Sequence, residues 1–250
     1  MRFNIYVDDL STTLAALNTG CNLNGVCMNA FLYADDTVLV APSPIALQKL
    51  IKCCEQFARE NDMLFNTTKT VCMFIRSKKF KQLRMPDMYL YGKSLKVVKS
   101  EKYLGVRISD DKYNDDEITC QMRSVYGRGN LLIRNFKHCD DSVKLQLFKT
   151  FCTNIYCCQL WSSYKKTTYR KINVAYRRIF RYFMKIDNAT SVSCAMLNYN
   201  VDFLDVLIRK AVFNFRKRIM DSENVIIKTL VNSLFYLDSM LCKKWNSILF

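Results

Sequence analysis

The stretch Phe31-Leu32-Tyr33-Ala34-Asp35-Asp36-Thr37-Val38-Leu39-Val40 sets two adjacent carboxylates between runs of apolar and β-forming residues. The flanks predict paired strands, Met28 to Tyr33 and Thr37 to Ala41, with Asp35 and Asp36 at the hairpin tip. Like charges held side by side cost free energy, so a chain that fixes them at a bend has a use for them. Hard oxygen donors of this kind suit Mg²⁺, which takes one or two carboxylates and fills its other positions with water and substrate phosphates. That points to phosphoryl chemistry. Read alone, the pair also fits a solvated turn, where Asp is common.

Composition narrows the class. The 250 residues are 50% hydrophobic, with 6 Gly, 3 Pro, no low-complexity tract and no clear internal repeat, which predicts packed elements joined by short connections. A formal charge of +16 favours nucleic acid or another anionic surface as a partner. Its distribution is uneven: residues 1–70 carry 5 Lys/Arg against 7 Asp/Glu, and the remaining 180 carry 33 against 15. An acidic centre is followed by a basic body. Asp8 and Asp9 stand where a secretory leader would need an apolar core, and no uninterrupted transmembrane run follows, so the expected location is a reducing, intracellular one without a membrane partner. The 12 Cys then read as small buried hydrophobes and free thiols. The vicinal pairs Cys53-Cys54 and Cys157-Cys158 lack zinc-like spacing, so a metal or redox role is the weaker alternative. His138, the single histidine, reads as a turn residue before a helix rather than a general base.

Periodicity organises the rest. Phe3, Tyr6, Val7, Leu10, Leu14 and Leu17 recur at helical spacing with no capping residue ahead of them, so the chain opens inside an element, as a truncated sequence would. Ser43-Pro44 marks the next helix, whose buried face is Leu47, Leu50, Ile51, Cys54, Phe57 and Ala58. Val71 to Ile75, Met88 to Tyr91, Leu95 to Val98 and Tyr103 to Ile108 predict a small antiparallel element. From Asp115 the period becomes helical, with candidate helices over 115–136, 140–161, 168–186, 202–221 and 223–248. Gly127 and Gly129 each weaken the first of these by about 1 kcal/mol relative to Ala.

In this setting Tyr33-Ala34-Asp35-Asp36 resembles the catalytic turn of reverse transcriptases, specifically those of non-LTR (LINE-type) retrotransposons. The likeness extends on both sides. Asn4-Ile5-Tyr6-Val7-Asp8-Asp9-Leu10 looks like the helix after the family's template-contacting motif, and Phe65-Asn66-Thr67-Thr68-Lys69-Thr70 looks like its asparagine-lysine segment. Lys102-Tyr103-Leu104-Gly105-Val106 is similar to its primer-grip hairpin. These motifs cover residues 1–108 in the family's order and spacing, and the helical remainder suits a thumb and connecting region.

The resemblance implies an α+β chain, with residues 1–112 an incomplete polymerase palm and 113–250 a helical, thumb-like nucleic-acid-binding region. It implies RNA-templated DNA synthesis, in which two Mg²⁺ ions join a primer 3′-hydroxyl to a nucleotide α-phosphate. RNA template, DNA primer and dNTP are the implied partners. Asp35 would be the main metal ligand, Asp36 would assist it, and Lys69 would approach the triphosphate and protonate the pyrophosphate. Tyr103, Leu104 and Gly105 would hold the primer terminus. Read without the family, Lys69 is a surface lysine and Tyr103 to Gly105 a core strand. Asp8 and Asp9 read as structural.

Downstream, Lys165, Lys166, Arg170, Lys171, Arg177, Arg178, Arg181 and Lys185 form an acid-free basic run. Ile172, Ala175, Ile179 and Phe183 mark its buried face. Such a helix would neutralise phosphates without reading sequence, or would be a solvated basic face. Tyr169, Tyr176, Phe180 and Tyr182 read as core residues. A working palm also needs a further aspartate on a strand beside the catalytic hairpin, together with the fingers, and all of that would precede residue 1. Asp87, Asp110-Asp111 and Asp115-Asp116-Glu117 read as turns and helix starts rather than substitutes. The chain is therefore expected to be inactive by itself, needing its missing N-terminal half or another chain. The alternative is a non-catalytic, retrotransposon-derived nucleic-acid-binding protein.

Overall fold

The computed structural model describes residues 2–75 and 86–249, and side chains from residue 8. It separates into two compact units, residues 1–100 with 224–233, and residues 101–223 with 234–250.

The first unit is built around one helix. Helix α1 (Arg2–Ala16) is followed by strands β1 (Cys21–Leu23), β2 (Val26–Met28), β3 (Ala30–Tyr33) and β4 (Asp36–Leu39), then by α2 (Pro44–Glu60). The Ser43 hydroxyl accepts the Ala46 amide at 3.2 Å and Pro44 opens α2, the start that Ser-Pro predicted. Leu50, Cys54 and Phe57 of α2 pack with Leu10 and Leu14 of α1. Ile51 instead joins a second cluster with Cys72, Met88, Leu90 and Leu95. Leu47, expected to be buried, is half-buried against that cluster. The side chains of Phe3, Tyr6 and Val7, expected on the apolar face of α1, lie outside the described residues.

Two strand expectations change. Met28 belongs to β2, which pairs with β1 through an Asn24-Gly25 loop, and not to the hairpin strand, which starts at Ala30. The expected antiparallel element holds only in part. Strands β6 (Tyr89–Leu90) and β7 (Lys93–Ser94) form an antiparallel hairpin, whereas β5 (Val71–Cys72) runs parallel to β8 (Lys96–Val97). A parallel ladder two residues long leaves no alternation to read. Among the described residues every sheet is two-stranded.

The second unit opens on the hairpin of β9 (Ser100–Tyr103) and β10 (Val106–Ser109), so the expected strand from Tyr103 to Ile108 bends back at Leu104-Gly105. Helix α3 (Asp115–Phe136) has the predicted limits, and α5 (Lys166–Phe183) lies against it. Helix α4 (Asp141–Phe151) stops well short of the predicted residue 161, and the chain beyond it passes through Cys157 at φ 53° into a 3-10 turn, Cys158–Leu160. Phe148 of α4 meets the Tyr176 and Phe180 rings of α5 at 5.5 and 5.1 Å between centroids. Helix α6 (Val192–Asn198) was not expected; α7 (Leu204–Met220) was. The predicted helix over 223–248 is three, α8 (Val225–Val231, which counts with the first unit), α9 (Leu234–Leu237) and α10 (Met240–Leu249). Trp245 of α10, 1% exposed, donates its indole N–H to the Gln159 carbonyl at 2.7 Å.

Candidate functional site

The hairpin register decides which way the acids face. Ala30 pairs with Leu39, Phe31 with Val38, Leu32 with Thr37 and Tyr33 with Asp36. Directly opposed residues share a face, so Ala30, Leu32, Thr37 and Leu39 form one face and Phe31, Tyr33, Asp36 and Val38 the other. Ala30 and Leu39 are packed against the α1–α2 core, which turns Asp36 outward beside the exposed rings of Phe31 and Tyr33. Asp36 is thus the first residue of a strand, and the tip is Ala34-Asp35 rather than the expected Asp35-Asp36.

That tip is unusual within this chain. The two-residue loops Asn24-Gly25, Tyr91-Gly92 and Leu104-Gly105 place both residues at positive φ, with Gly second, the pattern of a type I′ turn. The Ala34-Asp35 loop has no Gly, and only Ala34 is left-handed, at φ 50°. An L residue there costs about 1–2 kcal/mol, so the acids sit on a mildly strained bend. Asp35 and Asp36 are both exposed, and among the described residues neither carboxylate accepts a hydrogen bond or forms an ion pair. The outer edges of β3 and β4 are likewise unpaired among the described residues.

Asn66 shapes the turn that carries Lys69. Its side-chain oxygen accepts the Thr68 amide at 2.9 Å, the Thr68 hydroxyl at 2.7 Å and the Lys69 amide at 3.1 Å. Lys69 projects from this turn into solvent, and no hydrogen bond or ion pair joins it to Asp35 or Asp36. The carboxylate pair is chemically suited to Mg²⁺, being hard, accessible and not engaged elsewhere. Among the described residues no three His, Cys, Asp or Glu side chains converge as a metal site.

Tyr103, Leu104 and Gly105 belong to the second unit, at the bend of the β9–β10 hairpin. Two residues hold that hairpin: Tyr156, which sequence reading missed, and Glu117, which reads in the sequence only as part of an acidic helix start. Tyr156 donates its hydroxyl to the Leu104 carbonyl at 3.0 Å, and a Cβ at Gly105 would lie 2.9 Å from the Tyr156 ring. Glu117, 2% exposed, accepts the Arg107 amide of β10 at 2.8 Å and the Gln121 amide at 2.8 Å. Tyr156 lies far from the hairpin in sequence, and the helix-start signal at Glu117 says nothing of its bond to β10. Asp115, in the acidic run read as a helix start, accepts the Lys165 amide at 3.1 Å and the Thr168 hydroxyl, and so fixes the entry to α5.

Along α5, Ile172, Ala175, Ile179 and Phe183 are buried as expected, and so are Tyr176 and Phe180. Tyr182, expected in the core, is 62% exposed. Lys165, Lys166, Arg170, Lys171, Arg178 and Lys185 are exposed. Arg177 and Arg181 are half-buried and also serve the fold: Arg177 donates to the Ser193 hydroxyl, and Arg181 to Asn188 Oδ1 and the Thr190 carbonyl, both at 2.9 Å. All twelve cysteines carry free thiols, and His138 lies in the exposed turn between α3 and α4. No described helix is long and apolar enough to cross a membrane.

Residues 1–108 match the family model for reverse transcriptase (RNA-dependent DNA polymerase), a similarity that spans less than half of the chain. No curated protein matches the chain.

Proposed function

We propose that this chain is the palm and thumb portion of an RNA-directed DNA polymerase of the non-LTR retrotransposon kind, acting by two-Mg²⁺ nucleotidyl transfer. The observation that carries the reading is the exposed, unengaged Asp35-Asp36 pair at the end of the β3–β4 hairpin, inside the region similar to reverse transcriptases. Residues 1–112 act as the palm and 113–250 as the thumb. Asp35 and Asp36 would hold the metal ions, and the chemistry those ions would supply is activation of the primer 3′-hydroxyl and charge stabilisation of the departing pyrophosphate. Lys69 brings a compact cation to the triphosphate and gives its proton to the leaving group. Tyr103, Leu104 and Gly105, at the bend that Tyr156 braces, hold the primer terminus. The basic face of α5 neutralises phosphates of the RNA template and DNA primer.

The unpaired edges of β3 and β4 support one further element of the reading. A strand from sequence outside these 250 residues, or from another chain, pairs with the hairpin and brings the additional aspartate. The test is primer extension on an RNA template with the chain joined to such an upstream segment. Extension should need Mg²⁺ and disappear with Asp35→Ala. Full activity of Asp35→Ala in that assay would sink the assignment.

A second reading, a non-catalytic nucleic-acid-binding protein derived from such a polymerase, is favoured by the lack of a third carboxylate beside Asp35 and Asp36 among the described residues. It predicts salt-sensitive binding that Asp35→Ala leaves unchanged, and no extension in the joined protein.

A further inference from the structure

The acid-free run on α5 does not behave as one uniform face. Arg177, Arg178, Arg181 and Tyr182, from its second half, line an open concavity of about 550 Å³ together with Val174, Asn188, Ser191 and Val192. Lys165, Lys166, Arg170 and Lys171, at the other end of the helix, take no part in it. No carboxylate lines it among the described residues. Two of its guanidinium groups are held in place by the fold: Arg181 by Asn188 and the Thr190 carbonyl, Arg177 by the Ser193 hydroxyl. A guanidinium has five N–H donors, so each keeps donors to spare. Arg178 makes no hydrogen bond or ion pair among the described residues and is exposed. One helical turn on, Tyr182 leaves most of its ring in solvent at the rim.

Fixed guanidinium groups in a hollow suit a phosphate, because the forked donors match its oxygens and little side-chain freedom remains to be lost. A duplex presents its phosphates on a convex surface with its bases stacked inside, and neither enters a hollow nor offers a base to a ring. A single strand does both. We propose that this concavity binds single-stranded nucleic acid, one phosphate lying among Arg177, Arg178 and Arg181 and the adjoining base stacked on Tyr182. The proposal rests on reading α5 as a nucleic-acid-binding helix, and it narrows that reading to half of the helix and to unpaired strands.

The test is fluorescence anisotropy on the full chain, with a labelled oligo(U) of about twelve nucleotides and a duplex of the same length, over a range of salt. Tyr182→Ala should weaken single-strand binding about fivefold or more, while Tyr182→Phe stays within about twofold. Arg178→Gln should lower the slope of log affinity against log salt by about 0.7, as loss of one phosphate contact on a single strand requires. Duplex binding should not respond to Tyr182→Ala. Because Tyr182 and Arg178 are exposed, circular dichroism should show both variants folded like the parent. Equal losses on duplex and single strand, or an unaffected Tyr182→Ala, would overturn the single-strand site and leave the basic helix intact as a binding element. Failure of the parent chain to bind either probe at low salt would overturn the underlying reading of α5 as well.

Discussion

Tyr156 spans the bend of the β9–β10 hairpin, bonding the Leu104 carbonyl at 3.0 Å while its ring takes the space that a side chain at Gly105 would need. Gly105 sits at φ 82°, so Gly105→Ala meets two obstacles: a left-handed backbone and a ring 2.9 Å from the new Cβ. We expect a loss of about 1–3 kcal/mol in urea unfolding. Combining it with Tyr156→Ala should relieve the steric share and leave the backbone share, so the double variant should fall short of additivity. Additive losses would show that ring and glycine act independently.

Helix α3 offers a paired experiment on two glycines with opposite surroundings. A Cβ at Gly127 meets nothing within 4 Å, whereas one at Gly129 would overlap Ile179 Cγ2 of α5. Gly127→Ala should therefore stabilise the protein by about 0.5–1 kcal/mol through helix propensity. Gly129→Ala should destabilise it by about 1–3 kcal/mol despite the same propensity gain, because α5 must move away. Thermal unfolding of the two variants side by side decides this, and stabilisation by both would remove the close α3–α5 crossing as an explanation.

The strain at the acidic hairpin is measurable in the same way. Ala34→Gly removes the Cβ from a residue at φ 50° and should raise stability by about 0.5–1 kcal/mol once the extra freedom of the unfolded glycine is subtracted. Unfolding in urea at fixed pH checks it. A loss of stability would mean that the Ala34 methyl contributes more than the backbone conformation costs.

Thiol reactivity should divide the cysteines by depth. Burial pushes the Cys54 thiol up to about 12, with Cys53 and Glu55 adding to the rise. Burial likewise pushes Cys152 and Cys158 up to about 11. Cys120 and Cys194 are exposed. Iodoacetamide at pH 8 should therefore label Cys120 and Cys194 in the folded protein, and Cys54, Cys152 and Cys158 only after unfolding. A buried acid whose value is raised stays neutral when folded, so its contribution is intact below the unfolded value near 9.0 and is lost as pH climbs towards the folded one. Stability should accordingly fall from about pH 9 upward, as urea midpoints measured over pH 8–11 would show. A flat profile would mean that these thiols are accessible.

What the residues disclosed, and what they concealed, follows from where the information lies. Helix α3 was legible because its start is marked by acids at the N-terminus and its apolar spacing never breaks. The overrun past Phe151 has a physical cause: Ile155, Cys158 and Trp161 continue the apolar spacing and are buried, but in a turn and a loop. Burial imitated a helix there. Over 223–248 the breaks lie in side-chain caps, Asn224 accepting the amides of Ile226 and Ile227, and Ser239 that of Cys242. These small polar residues were visible, yet the apolar period outweighed them. At the candidate site, Asp35, Asp36 and the Asn66-to-Lys69 turn were readable because each is a local motif. Tyr156 was not, since it reaches Leu104 across 52 positions.

Leu39 and Phe65 both pack against the two clusters that flank α2. Leu39 ends the strand that Asp36 begins, and Phe65 directly precedes Asn66, whose side chain builds the turn under Lys69. The helix is therefore a ruler for the polar groups on either side of it: the carboxylates and the ammonium are hung from one shared pair of apolar pegs. A displacement of α2 would therefore be felt on both sides, at the strand that Asp36 begins and at the turn that carries Lys69.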